Sequence, residues 1–152
     1  MLKISLVIFI VLAWLTLPIE NSAFAADQVV SFDTSKSGKM SIKIGDHQIA
    51  VYVYQDDEIS RPYFAYLCAT GALQVSRNHP PVSGQDRNDH PRFHPGLWLS
   101  FGDISGNDDC RLSAAVRQVS WVEFPQGAAG KGSFAVMNHY LKQKAFVSSC
   151  LP

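Results

Sequence analysis

The chain has 152 residues, of which 47% are hydrophobic and 17% charged. Its 13 basic side chains balance 13 acidic ones, so nothing in the charge points to nucleic acid or an anionic membrane surface as a partner. The composition excludes a disordered chain, and the length suggests one domain.

Residues 1–25 read as a secretory signal peptide. Met1-Leu2-Lys3 carries one positive charge, Ile4 to Leu17 is almost wholly apolar, and Pro18 and Glu20 end that run. Ala23-Phe24-Ala25 offers small residues at the two positions a signal peptidase reads. The apolar run is shorter than the roughly 20 residues of a comfortable membrane span. The alternative is an uncleaved N-terminal anchor. Export predicts a periplasmic or extracellular protein with no membrane contact once the leader is gone. Residues 26–152 then form a single β domain.

Oxidising conditions make the cysteines matter. There are three, Cys68, Cys110 and Cys150, so at least one is left out of any intrachain pair. Cys68 lies in an apolar run and reads as a small buried residue. Cys110 and Cys150 are a candidate disulfide. None has a metal-type spacing.

Met40-Ser41-Ile42-Lys43-Ile44 alternates apolar and polar residues, and Ile49 to Tyr54 is β-branched and aromatic but for Ala50. With Gly45-Asp46 between them, they predict a β-hairpin. Gln55-Asp56-Asp57-Glu58 reads as a solvated acidic connection. Pro62 to Ala69 and Leu73 to Ser76 read as strands. Arg77 to Pro95 is a long polar segment whose four prolines rule out a regular helix or a central strand. Gly96 to Phe101, Val116 to Phe124 and Ser133 to Leu141 read as further strands, with a Gly-rich turn from Pro125 to Gly132. No stretch keeps a helical period. The expected class is all-β, an antiparallel β-sandwich or an open piece of one.

A structureless loop of nearly 20 residues is usually functional or disordered. This one holds His79, His90 and His94, each immediately before a proline. A pre-proline residue is pushed toward extended backbone, which stiffens the chain beneath each imidazole. Three uses follow. The loop could hydrogen-bond a sugar's hydroxyls through Arg77, Arg92, Asp86 and Asp89, with Trp98 offering a face to the ring. His90 and His94, with Asp89 or Asp103, could ligate a metal. Or the polar groups only pin the loop to the sheet. His47 is expected in solvent, and His139, on one face with Met137 and Ala135, to be packed with its ring satisfied. Asp103, Asp108 and Asp109 read as a turn rather than a calcium loop, since the EF-hand order is absent. There is no GxSxG, P-loop or GxGxxG, so no cofactor is expected.

The stretches Val75-Ser76-Arg77-Asn78-His79-Pro80-Pro81, Asp89-His90-Pro91-Arg92-Phe93-His94-Pro95-Gly96-Leu97-Trp98 and Phe101-Gly102-Asp103-Ile104-Ser105-Gly106 resemble the PmoA-like family. Its database label is "methane oxygenase PmoA", and its members are uncharacterised, often exported bacterial proteins. With flanking strands the resemblance covers roughly residues 38–145. A membrane copper oxygenase subunit would need several spanning helices, so methane oxidation does not follow. The resemblance implies a supersandwich similar to galactose mutarotase and a carbohydrate ligand. His90 or His94 would be the acid/base candidates, with Arg77, Asn78, His79, Asp89 and Asp103 binding substrate. Members are typically about twice as long, so this chain is expected to be a shortened one, with a sheet incomplete at the C-terminal side. The open edge of such a sheet invites self-association. The alternatives are a non-catalytic fragment with a structural loop, and a metal-binding protein using His90 and His94.

Overall fold

A computed structural model describes residues 28–142. The expected signal peptide and Cys150, with its proposed disulfide, lie outside the described residues.

The chain is all-β and antiparallel. Strands β1 (Val30–Asp33), β2 (Lys39–Ile44), β3 (His47–Val53), β4 (Tyr63–Ala65) and β5 (Leu97–Trp98) form one sheet in sequence order. Strands β6 (Ala115–Ala128) and β7 (Lys131–Leu141) form a separate long hairpin. Among the described residues, no helix is long and apolar enough to cross a membrane.

The expected β2–β3 hairpin forms, with Ile44 opposite His47. Gly45 takes φ 56° there, the positive value that primed hairpin turns require. β1 was not anticipated. Other strands are shorter than their apolar runs suggested. β4 stops at Ala65 because Tyr66 turns to φ 53°, and the 73–76 segment contributes only a bridge from Gln74 to Cys68. The Gly96–Phe101 run pairs only over Leu97–Trp98. β6 runs on through Pro125 because the ladder shifts register between Glu123 and Gln126, a position that tolerates a residue without an N–H.

The pleat of the five-stranded sheet sets two cores. Met40, Ile42, Ala50 and Tyr52 face the hairpin, whose Trp121, Phe134 and Val136 pack on them. An early register shift in β6, between Gln118 and Ser120, lets Trp121 share the inner face with Val116 and Gln118 despite the odd spacing. Tyr52 is central to this layer. Its ring lies 4.9 Å from Phe64 and 5.3 Å from Phe134. Such pairs add about 0.5–1.5 kcal/mol each beyond burial. The Tyr52 hydroxyl donates to Gln118 Oε1 at 2.9 Å, and burial pushes its phenol up to about 12.

On the opposite face, Val53, Ile59, Tyr63 and Ala65 form the second core, with Trp98 and Leu112 against them. Irregular chain rather than a second sheet covers this side, and the loop expected to carry chemistry is part of that cover.

Candidate functional site

The 77–95 loop is folded around two polar knots. The Arg77 guanidinium donates to the carbonyls of Arg87 (3.1 Å) and Asp89 (2.9 Å) and pairs with the Asp89 carboxylate at 3.3 Å. Asp86 accepts from Asn78 N, Asn78 Nδ2 and Val82 N at 2.8–3.1 Å. The Asn78 and Val82 bonds hold the Asp86 carboxyl below the usual carboxylate range. Arg77, Asn78 and Asp89, expected to bind substrate, therefore direct these bonds into the loop itself.

The loop's exit is equally constrained. Pro95 is fully buried. Gly96 follows at φ 149°, and a Cβ there would collide with the Phe64 carbonyl oxygen, so only glycine lets the loop enter β5. Arg61, missed in the sequence, reaches across to the Phe93 carbonyl at 2.8 Å. Its guanidinium also covers one face of Trp98, the ring expected to serve a sugar.

His90 does not take the extended backbone expected of a pre-proline residue. It sits at φ 47°, and its carbonyl accepts from both Phe93 N and His94 N at 3.0 Å. This closes a tight turn over residues 90–94, a local gain that outweighs the pre-proline preference. The turn leaves His90 and His94 exposed, with ring centres 6.4 Å apart. Asp103 lies in another turn, where its carboxylate accepts from Gly106 N at 2.7 Å. Asp108 accepts from Cys110 N and Arg111 N and pairs with Arg111 at 2.7 Å. Among the described residues, no three His, Cys, Asp or Glu side chains converge as a metal set. His47 is exposed as expected. His139 shares a face of β7 with Met137 and Ala135 but is exposed rather than packed, because that face is turned away from the five-stranded sheet.

His79 is placed differently. It lines a cleft of about 500 Å³ between the loop and the 55–58 turn, with Lys39, Asp57, Glu58, Pro81 and Arg92. Its ring meets the Tyr63 ring edge-on, centres 5.4 Å apart. Nδ1 is buried there with no hydrogen-bond partner, which leaves Nε2 as the nitrogen able to meet a ligand. Burial lowers the His79 pKa, and Asp56 and Glu58 only partly oppose it. The ring is therefore neutral at neutral pH, able to donate or accept a hydrogen bond.

In the acidic turn Gln55, Asp57 and Glu58 are solvated as expected, but one side chain is not. Asp56 is half-buried. It accepts from Glu58 N (2.8 Å) and Ile59 N (3.0 Å) through Oδ1 and from the Tyr63 hydroxyl (2.8 Å) through Oδ2. Burial works against its charge, but these bonds prevail and lower its pKa. The Asp-x-Glu spacing before Ile59 fits a side-chain-capped turn and could have signalled this. Nothing in the sequence placed that turn beside His79. A larger cleft of about 710 Å³ lies between the same turn and β6, lined by none of the residues chosen from the sequence.

Comparison with protein-family profiles, curated proteins and solved structures finds no match to this chain.

Proposed function

We propose that this chain is an exported β domain of the PmoA-like type, a partial version of the mutarotase-like supersandwich, that binds a carbohydrate in the cleft beside His79. The observation that carries this reading is the half-buried, neutral His79 in a wall that also holds carboxylates and cations. A sugar hydroxyl both donates and accepts, so it suits a cleft where Glu58, Asp57, Arg92 and Lys39 alternate in sign. Pro80, Pro81 and Pro91 supply stiff apolar walls for the C–H face of a ring. In this reading His79, not His90 or His94, is the central histidine, and Arg77, Asn78 and Asp89 hold the loop that presents it. The second reading is a purely structural loop, favoured by how completely Arg77 and Asp86 tie it to itself.

Thermal unfolding against a panel of mono- and disaccharides tests the two. A ligand that binds only the folded state adds about 2.7 kcal/mol of stability at a hundredfold excess over its dissociation constant. A sugar-specific rise in midpoint that disappears in His79→Ala, and survives in His90→Ala and His94→Ala, supports the binding reading. A cooperative transition that no sugar moves leaves the loop structural.

A further inference from the structure

The larger cleft, about 710 Å³, lies on the far side of the 55–58 turn from His79. It arises where two segments touch at their ends and part between. At one end Val116 N donates to the Ser60 carbonyl at 2.7 Å, and the Ser60 hydroxyl donates to the Ala114 carbonyl at 3.2 Å. At the other end the Tyr54 and Trp121 rings meet edge-on, centres 5.7 Å apart. Among the described residues no hydrogen bond joins residues 55–59 to residues 117–120, and the cleft is the gap left there. Gln118 lines the gap. Its Oε1 accepts from the Tyr52 hydroxyl, while its Nε2 has no partner among the described residues and is not sealed from solvent. Its amide hydrogens are therefore available to a ligand. On the opposite side the exposed Asp57 and Glu58 carboxylates have no hydrogen-bond or salt-bridge partner among the described residues.

Residues 55–58 line both clefts, so this turn is the wall between them. The wall is fixed in place. Asp56 caps it from within, Gln55 N donates to the Gly38 carbonyl at 3.1 Å, and Arg92 Nη2 donates to the Glu58 carbonyl at 3.2 Å. A ligand that crosses it meets groups already in position, which lowers the ordering cost of binding. We propose that the carbohydrate is a chain that crosses this wall, with one unit beside His79 and the next units in the larger cleft against Tyr54 and Trp121. The inference rests on the carbohydrate reading of the His79 cleft. What favours a chain over a single ring is that both sides of one wall repeat the same chemistry. Each side sets stiff apolar surface beside polar groups: prolines next to His79, and the partly exposed Tyr54 and Trp121 rings in the larger cleft. Each side also mixes donors with acceptors, and in the larger cleft Arg117, Gln118 and Ser120 face Asp57 and Glu58. Only a ligand that repeats hydroxyls and C–H faces along its length can use both. Each cleft alone falls within the roughly 300–1,000 Å³ range of ligand pockets.

The test is a titration of the full chain with glucose, xylose and N-acetylglucosamine, and with malto-, cello-, xylo- and chito-oligosaccharides of two to four units. It is followed through the NMR signals of the His79 ring and the Trp121 indole. In one series the tetrasaccharide is expected to bind about tenfold more tightly than the monosaccharide, the equivalent of one or two net hydrogen bonds. His79 should shift with the first unit and Trp121 only with longer members. Gln118→Glu keeps an acceptor for the Tyr52 hydroxyl and removes the amide donors. Ser120→Tyr, at an exposed position, narrows the gap. Each should remove the gain with length and leave the monosaccharide affinity as it was, with an unfolding midpoint close to that of the unsubstituted protein. A monosaccharide that shifts His79 with no gain on lengthening overturns the chain and leaves the His79 reading standing. Oligosaccharides that shift Trp121 and bind His79→Ala equally well overturn the His79 reading, and the crossing with it. No shift with any sugar overturns both. Trp121 shifts that follow protein concentration alone overturn the chain and assign the gap to a second copy of the protein.

Discussion

The guanidinium carbon of Arg61 lies 3.9 Å from the centre of the Trp98 ring. The same side chain, only 3% exposed, donates to three carbonyls: Asp109 and Cys110 through Nη1, and Phe93 through Nη2. One residue thus ties β5, the His-rich loop and the 108–110 turn to the sheet. Burial lowers its pKa, yet a guanidinium stays charged at any ordinary pH. Lysine cannot reproduce a planar fork that also stacks. Arg61→Lys is expected to cost about 2 kcal/mol, through lost hydrogen bonds and stranded carbonyls. Denaturant unfolding checks this, and near-ultraviolet circular dichroism should show a changed Trp98 environment. An unchanged midpoint would mean that the three carbonyls find other partners.

Asp109 presents the opposite case. It is 1% exposed, and neither carboxylate oxygen has a hydrogen-bond partner. Burial, with help from the Asp108 charge, raises its pKa, and the Tyr140 phenol is raised first by burial and then by Asp109. A carboxyl whose folded pKa is raised contributes most below its unfolded value, about 3.9, and that contribution is lost as pH climbs through the folded value. Asp109→Asn keeps the shape and removes the charge. It is expected to stabilise the protein at pH 7 by about 1 kcal/mol, with the gain shrinking to nothing near pH 3. Paired unfolding curves across that range decide it. An Asn variant that is weaker at pH 7 would require a cation or water bound to the carboxylate.

His79 titrates with the other sign. Its folded pKa lies below the unfolded value of about 6.5, so its contribution is complete above that pH and is lost as pH falls toward the folded pKa. Proton NMR of the ring should give a midpoint below 6.5, and any sugar affinity that depends on the neutral ring should fall over the same window. A midpoint at or above 6.5 would mean that Asp56 and Glu58 outweigh burial, and would leave the ring charged in mildly acidic solution.

How far the sequence led depends on the range of the interaction involved. The β2–β3 hairpin rests on alternation and one glycine, both local, and it was legible. So was the all-β class. β1 was not, because Val30-Ser31-Phe32-Asp33 is a weak pattern whose pairing with β2 depends on contacts from the hairpin tip, where Gly127 and Gly132 let the Val30 backbone and Phe32 approach. That residues 77–95 form a long loop rather than a strand was legible, but how its side chains are arranged was not. Each of the three histidines precedes a proline, which gave no sign of how differently they would be placed. The turn closed by the His90 carbonyl sends two of them into solvent, while the Tyr63 ring receives the third. Arg61 and Asp56, which pack around His79 and its loop, lie more than 15 residues before it, and although the Asp56 turn has a local signal, only tertiary packing brings either residue there.

The free edge of the hairpin carries the last prediction. Val119, Val122 and Phe124 on β6 are 51%, 59% and 70% exposed, and β6 pairs with no strand but β7 among the described residues. An unpaired edge flanked by apolar side chains is a template for another strand. Two copies meeting edge to edge about a two-fold axis would turn two hairpins into one four-stranded sheet and cover Phe124 in both. The pairing must be reversible and modest, since stable interfaces bury roughly 1,200 Å² or more and one strand edge supplies only part of that. Sedimentation analysis is expected to show a dimer that grows with concentration. Val122→Lys places a charge beside the edge, as natural sheets do to prevent pairing, and should return the protein to monomer with little change in its unfolding midpoint. If the unsubstituted chain sediments as a monomer at every concentration, the apolar edge is covered by other means and the expectation of self-association is wrong.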